Sequence, residues 1–209
     1  MPKQIQRNRE IYLAPDILGK YNGSVPIVID KRNGNILDPN DIETKILIYE
    51  REVKEWFLEP ASELLNQDSF KNSFIVLMVC MAYFEGVEQY KTGVDSSRRS
   101  KECFIDSIER LYPNKFRRSD IGILYAKSRC GLFHNGMVKG GVVFNNSFGD
   151  AIEFANNGEN ININPTLLLE RIMKDFEEYV SELRQGITES ASEHSRVAIE
   201  NFDRMFSVL

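Results

Sequence analysis

The stretch Ser128-Arg129-Cys130-Gly131-Leu132-Phe133-His134-Asn135-Gly136 places a permanent cation, an imidazole and an amide at the end of one helical pattern. A guanidinium is a planar, always charged fork for two phosphate oxygens, and histidine is the side chain that gives and takes protons near neutrality. Arg129 and His134 together could therefore bind a phosphodiester and move its protons. Five residues along an ideal helix turn about 140° and rise about 7.5 Å, so the two do not share one stripe. The length of arginine spans much of that gap, and Gly131 leaves room for a ligand or a neighbouring backbone. One pair is incomplete for acid-base cleavage, because one group must deprotonate the nucleophile while another protonates the leaving oxygen. A two-fold dimer would supply a second His134 and make the site composite.

Few other residues offer chemistry. Cys80, Cys103 and Cys130 are odd in number, widely spaced and set in apolar helical patterns, so they read as reduced core residues, and Cys130 as a nucleophile lacks a base of its own. His134 and His194 are the only imidazoles, which leaves a structural zinc site little to be built from; no cofactor is expected, although carboxylates could carry magnesium. His194 lies in the polar run SASEHSR and reads as a surface residue.

The net charge of -5 argues against nucleic acid when taken alone, but its distribution does not. Between Lys91 and Lys139 eleven lysines and arginines face five carboxylates, so a basic surface can coexist with an acidic remainder. The bland reading is that these charges are ordinary solvated helix faces. With 42% hydrophobic and 27% charged residues the chain has a globular composition. The polar start MPKQIQRNRE lacks the apolar core of a signal peptide and no run approaches the length of a membrane span, so a cytoplasmic protein without membrane contact is expected.

The elements that must position Arg129 and His134 are mostly helical. The first fifty residues read as irregular with some strand, where Val25 to Asp30 closed by Lys31-Arg32-Asn33-Gly34 suggests a small hairpin. Residues 41 to 66 carry a helical pattern interrupted at Pro60, which predicts a bent or broken helix, and Ser69 to Tyr90 is apolar around most of its circumference, as an enclosed helix must be. Ser97 to Tyr112 is amphipathic, Ser119 offers an N-cap for the helix that ends near Asn135-Gly136, and residues 140 to 164 switch to a period of two around the turn Asn156-Asn157-Gly158. Pro165 opens a helix with a clean apolar stripe to Leu183, and a last helix follows to Leu209. The expected fold is mainly α: a helical bundle over 46–209 with an inserted β-hairpin at about 141–163 and an N-terminal elaboration over 1–45, all one domain.

Arg129, four intervening residues and His134 match the Arg-X4-6-His motif, and in this helical context the chain resembles the HEPN domain family over roughly Ser69 to Leu183. The position after the motif arginine, often Asn, Asp or His in that family, is Cys130. The resemblance implies a commonly dimeric helical bundle, and in active members a metal-independent endoribonuclease of toxin-antitoxin or antiviral systems. It implies Arg129 and His134 as catalytic residues, with attack of a ribose 2'-hydroxyl on the adjacent phosphate. Asn135 would orient the phosphate or His134; Lys127, Arg117, Arg118 and Lys139 would hold RNA backbone and Tyr125 would stack a base, unless that aromatic is core. An antitoxin or nucleotidyltransferase-type protein is the implied partner. Two alternatives stand beside this: a non-catalytic HEPN-like module binding a nucleotide or a partner, and a structural dimer assembled through the C-terminal helix.

Overall fold

A computed structural model describes residues 4–209, apart from the side chains of Asn135 and Asn157. The chain forms two compact units, each gathered from separate stretches of sequence. One comprises the chain up to Glu59, Tyr90–Val94 and Glu177–Leu209; the other comprises Pro60–Gln89 and Asp95–Phe176.

In the first unit β1 (Ile11–Ala14), β2 (Ile17–Asn22), β3 (Val25–Asp30) and β4 (Asn35–Leu37) form an antiparallel sheet in sequence order. Asn22 pairs with Val25 across a two-residue loop, and Gly23 supplies the positive φ of 63° that such a loop needs. Helix α1 (Ile42–Val53) starts at Asp41, whose carboxylate accepts the Thr44 N–H at 2.9 Å. Its Arg51 returns to the sheet, donating from both terminal nitrogens to the two oxygens of buried Asp30 at 2.8 Å each. Tyr49 on the same helix packs its ring 4.7 Å from Tyr90 and 5.3 Å from Phe202 of α7 (Glu193–Met205), and such aromatic pairs add about 0.5–1.5 kcal/mol each beyond burial.

Between α1 and α2 (Glu59–Thr92) lies a widened π turn, Lys54–Leu58. The helical path does not break at Pro60. The widened turn sends the Glu59 N–H to Lys54 O, so Pro60, which has no N–H, enters immediately after the irregular turn rather than inside a regular ladder. The break falls at Asp68 (φ -160°, ψ 97°), whose carboxylate then caps the second stretch by accepting the N–H groups of Phe70 at 3.1 Å and Lys71 at 3.0 Å.

The second unit buries Val76, Leu77, Cys80, Met81 and Phe84 of α2. Among the described residues this stretch lies in the one helical run, Ile42–Thr92, that contains an 18-residue window apolar enough for a membrane span, and 44% of that window is buried inside the protein. It also carries Glu88, which accepts from Arg110 at 3.2 Å, while Arg110 donates to Asp175 at 2.6 Å and Asp175 accepts the Tyr83 hydroxyl at 2.6 Å. Helices α3 (Ser100–Leu111), α4 (Arg118–Leu124) and α5 (Cys130–Asn135), with a π turn at Tyr125–Arg129, lead to β5 (Val142–Phe144), β6 (Ile152–Ala155) and β7 (Asn160–Ile163). Asn164 accepts the Thr166 N–H at 3.1 Å and so starts α6 (Pro165–Gly186).

The expectation of a mainly α bundle with one hairpin is corrected. Helix takes about 57% of the chain, but it shares the fold with a four-stranded and a three-stranded sheet, which makes a mixed α/β fold. At 141–163 the hairpin β6–β7 carries a third strand, β5, paired in parallel with β7 in the order β5-β7-β6. Pairing on both sides satisfies the β7 backbone, while Ile161 and Ile163 on one face of that central strand are fully buried. In the N-terminal region the strands are short and partly buried on both faces, so they lack the alternation by which strands are read.

Candidate functional site

Helix α4, the π turn and α5 form one helical run, widened where the Cys130 N–H reaches back to Tyr125 O. Such insertions recur at functional sites because they re-aim side chains without ending the helix. Here the insertion buries Ser128 completely, with its hydroxyl unpartnered by any described protein group, and leaves Arg129 partly exposed at 22%.

Arg129 is held on three sides. Its Nε at 3.1 Å and Nη2 at 2.9 Å both donate to Oε2 of Glu85, itself 17% exposed. The other Glu85 oxygen accepts the Ser96 hydroxyl at 3.3 Å, and the Ser96 N–H donates to Gln89 Oε1 at 3.0 Å. The guanidinium carbon stands 5.0 Å from the Phe133 ring centre and 5.8 Å from that of Tyr125, within cation-π range. Glu85 thus grips the guanidinium side-on, and Nη1 at its open end makes no hydrogen bond among the described residues. A cation fixed in this way has already lost the rotamer freedom that binding would otherwise take from it.

His134 lies in the last turn of α5 and is exposed, with no hydrogen bond or ion pair among the described residues. None joins it to Arg129. At Gly136 (φ 69°) the helix stops in the left-handed cap geometry, its N–H donating to Leu132 O at 3.1 Å. The chain then doubles back, and the Lys139 N–H donates to Lys127 O at 2.9 Å. A Cβ on Gly131 would lie 2.7 Å from Met137 O, so the room expected there is taken by returning backbone.

Of the remaining candidates, Arg118 and Lys127 line one groove between α3 and α4, and Arg117 and Arg118 are already ion-paired. Arg117 donates to Asp120 at 2.8 and 3.0 Å; Arg118 donates to Asp106 at 2.7 Å and to Glu109. Lys127 fastens the turn before β7 by donating to the carbonyls of Glu159 and Gly158. The Tyr125 hydroxyl lies 2.9 Å from Ser100 Oγ, and its ring meets Phe104 edge-on at 5.3 Å. Burial pushes the Tyr125 hydroxyl pKa up. Lys139 is exposed with no side-chain partner among the described residues, and the side chain of Asn135 lies outside them. Glu85, Ser96 and Phe133 are the site residues that sequence reasoning missed. The signal in the sequence is a pair of carboxylates, Glu85 and Glu88, inside a largely apolar helix.

No set of three His, Cys, Asp or Glu side chains placed to hold a metal occurs among the described residues. No protein-family model, curated protein or solved structure matches the chain.

Proposed function

We propose that this protein is a HEPN-type, metal-independent endoribonuclease of a toxin or antiviral system, acting in the cytoplasm as a homodimer. The observation that carries the reading is Arg129 itself: a guanidinium pinned side-on by Glu85, its open end free, on the same helical run as the exposed imidazole of His134. That open end suits two oxygens of a phosphate. A surface for a second copy lies beside it. Lys71, Ile75, Met78, Ala82 and Glu85 fall on one stripe of α2, and along it Ile75 is 50% and Met78 37% exposed.

In the reaction, the 2'-hydroxyl oxygen bonds to the adjacent phosphorus as the bond from phosphorus to the 5'-oxygen breaks, leaving a 2',3'-cyclic phosphate. His134 of one copy takes the 2'-hydroxyl proton, and His134 of the second copy protonates the leaving 5'-oxygen. Arg129 stabilises the added negative charge on the phosphoryl oxygens, which in a preorganised site contributes about 3 kcal/mol. An antitoxin or nucleotidyltransferase-type protein would silence the site by covering it.

A non-catalytic module that binds a nucleotide or a partner is the second reading. It is favoured by one observation: within a protomer Glu85 already balances Arg129, and no bond links Arg129 to His134. Labelled single-stranded RNA incubated with the protein in EDTA separates the two. Cleavage that disappears in both Arg129→Ala and His134→Ala supports the nuclease; saturable binding without turnover supports the module.

A further inference from the structure

Residues 94–99 form the connection into α3, and both ends of its last turn are bonded to the surroundings of Arg129. Ser96 Oγ donates to Glu85, and Ser100 Oγ lies 2.9 Å from the Tyr125 hydroxyl. Arg98 and Arg99 sit between these two anchors. Both are exposed, and neither makes an ion pair or side-chain hydrogen bond among the described residues. Lys101 is also exposed and unpaired, with its stem crossing Gly122, where an added Cβ would lie 3.6 Å from Lys101 Cε. The carboxylates on this segment are Asp95, which accepts the Ser97 N–H at 2.6 Å, and Glu102, which is exposed.

Lys101 stands at the rim of a groove of about 550 Å³ between α3 and α4, lined among others by Ile105, Ile123 and Ala126. A nucleobase presents an apolar face of suitable size for such a lining, next to phosphates that a cation can hold. In an A-form duplex the base faces are stacked away, so a groove of this kind suits a single strand. Arg118 and Lys127 also line the groove, but they and Arg117, the backbone-holding candidates that the resemblance implies, are engaged by carboxylates and carbonyls of their own chain, whereas Arg98, Arg99 and Lys101 are not.

We infer that Arg98, Arg99 and Lys101 form the clamp that holds the backbone of single-stranded RNA beside Arg129, with one base entering the Ile105/Ile123 groove. The inference rests on the nuclease reading, since its ligand is the strand that Arg129 would hold. Neutralising three phosphate contacts on a single strand changes the slope of log affinity against log salt by about 2.

The test is fluorescence anisotropy with a labelled 12-nucleotide RNA across a salt series, using the full chain with His134→Ala so that the RNA stays intact. In that parent, Arg98→Gln/Arg99→Gln/Lys101→Gln is expected to flatten the salt slope by about 2 and weaken binding at low salt by more than about tenfold. Lys20→Gln/Arg184→Gln, which removes two cations that line no part of the groove, is expected to follow the parent, and melting curves confirm that both variants fold. The clamp is overturned if the triple variant keeps the parent's slope, if the double variant loses as much, or if the parent does not bind. Should the salt dependence appear while the wild-type chain never cuts RNA, the clamp stands and the nuclease reading falls. Should wild-type and triple variant cut equally at limiting RNA, the nuclease stands and the clamp falls.

Discussion

At the residue scale, the motif arginine and histidine stand out by type and spacing, but what holds the arginine does not. Glu85 is 44 residues away from Arg129 in sequence, and only the packing of α2 against the π turn brings them together. Ser128, next to Arg129, has a fully buried hydroxyl with no described protein partner, and an unmade hydrogen bond is more costly than none. Ser128→Ala is therefore expected to raise stability by about 1 kcal/mol, read as a higher melting temperature; a lower one would show that the hydroxyl is satisfied. Asp30 gives a second test. Hydrogen bonds from Arg51, ahead of every other cause, hold its carboxyl pKa below the usual value. A carboxylate with a depressed pKa stabilises the fold fully above its ordinary pKa, and that stability is lost as the pH falls through the depressed one. Arg51→Leu removes the ion-pair partner of the buried carboxylate, leaving it the Arg32 N–H and the Asn33 amide, at a cost of about 3 kcal/mol near neutral pH. The deficit against wild type should narrow in acid as Asp30 protonates, and denaturant unfolding at several pH values measures it.

At the element scale, the two π turns decide where the helices point, and neither carries a sequence signature. Pro60 signals an irregularity, which the turn at Lys54–Leu58 absorbs just before it; Asp68, an ordinary helix cap by type, marks the true break. The helices themselves were readable from apolar spacing, because burial on one face imposes the period. The sheets were readable only in part. Val25 to Asp30 and the Asn156-Asn157-Gly158 turn are visible, but the two-residue loop Gly23-Ser24 that pairs Asn22 with Val25 is short enough to hide between strands, and the parallel pairing of β5 with β7 depends on partners that local sequence does not name. Two glycines separate helix propensity from packing. Nothing lies within 4 Å of a Cβ added at Gly86, whereas one at Gly131 meets Met137 O. Gly86→Ala should stabilise by up to about 1 kcal/mol, the helical gain of alanine over glycine. Gly131→Ala should destabilise despite that gain and speed hydrogen exchange at the Lys139 amide. Equal gains at both positions would contradict the fold-back of 137–139 onto α5.

At the scale of the whole molecule, the charge tally over Lys91 to Lys139 found a real excess of cations but could not say which remain free. Arg117 pairs locally with Asp120 three residues on, but Arg118 is engaged by Asp106 of α3 through packing, while Arg98 and Arg99 are spared, and the tally weighs none of this. Nor could periodicity foresee that each compact unit is gathered from separate stretches of the chain. The apolar stripe on α2 bears on assembly. Met78→Glu puts a charge on an already exposed position, so it should leave the melting temperature nearly unchanged while converting a dimer to a monomer in sedimentation velocity. A wild-type chain that sediments as a monomer would remove the composite site. The chemistry itself is tested most directly with an RNA oligonucleotide carrying a single 2'-deoxynucleotide, digested in EDTA and read at single-linkage resolution. Attack by the 2'-hydroxyl requires cuts at the ribonucleotide linkages, cyclic phosphate ends, and no cut after the deoxynucleotide. Cleavage at that linkage, or no cleavage anywhere, would contradict the assignment of Arg129 and His134.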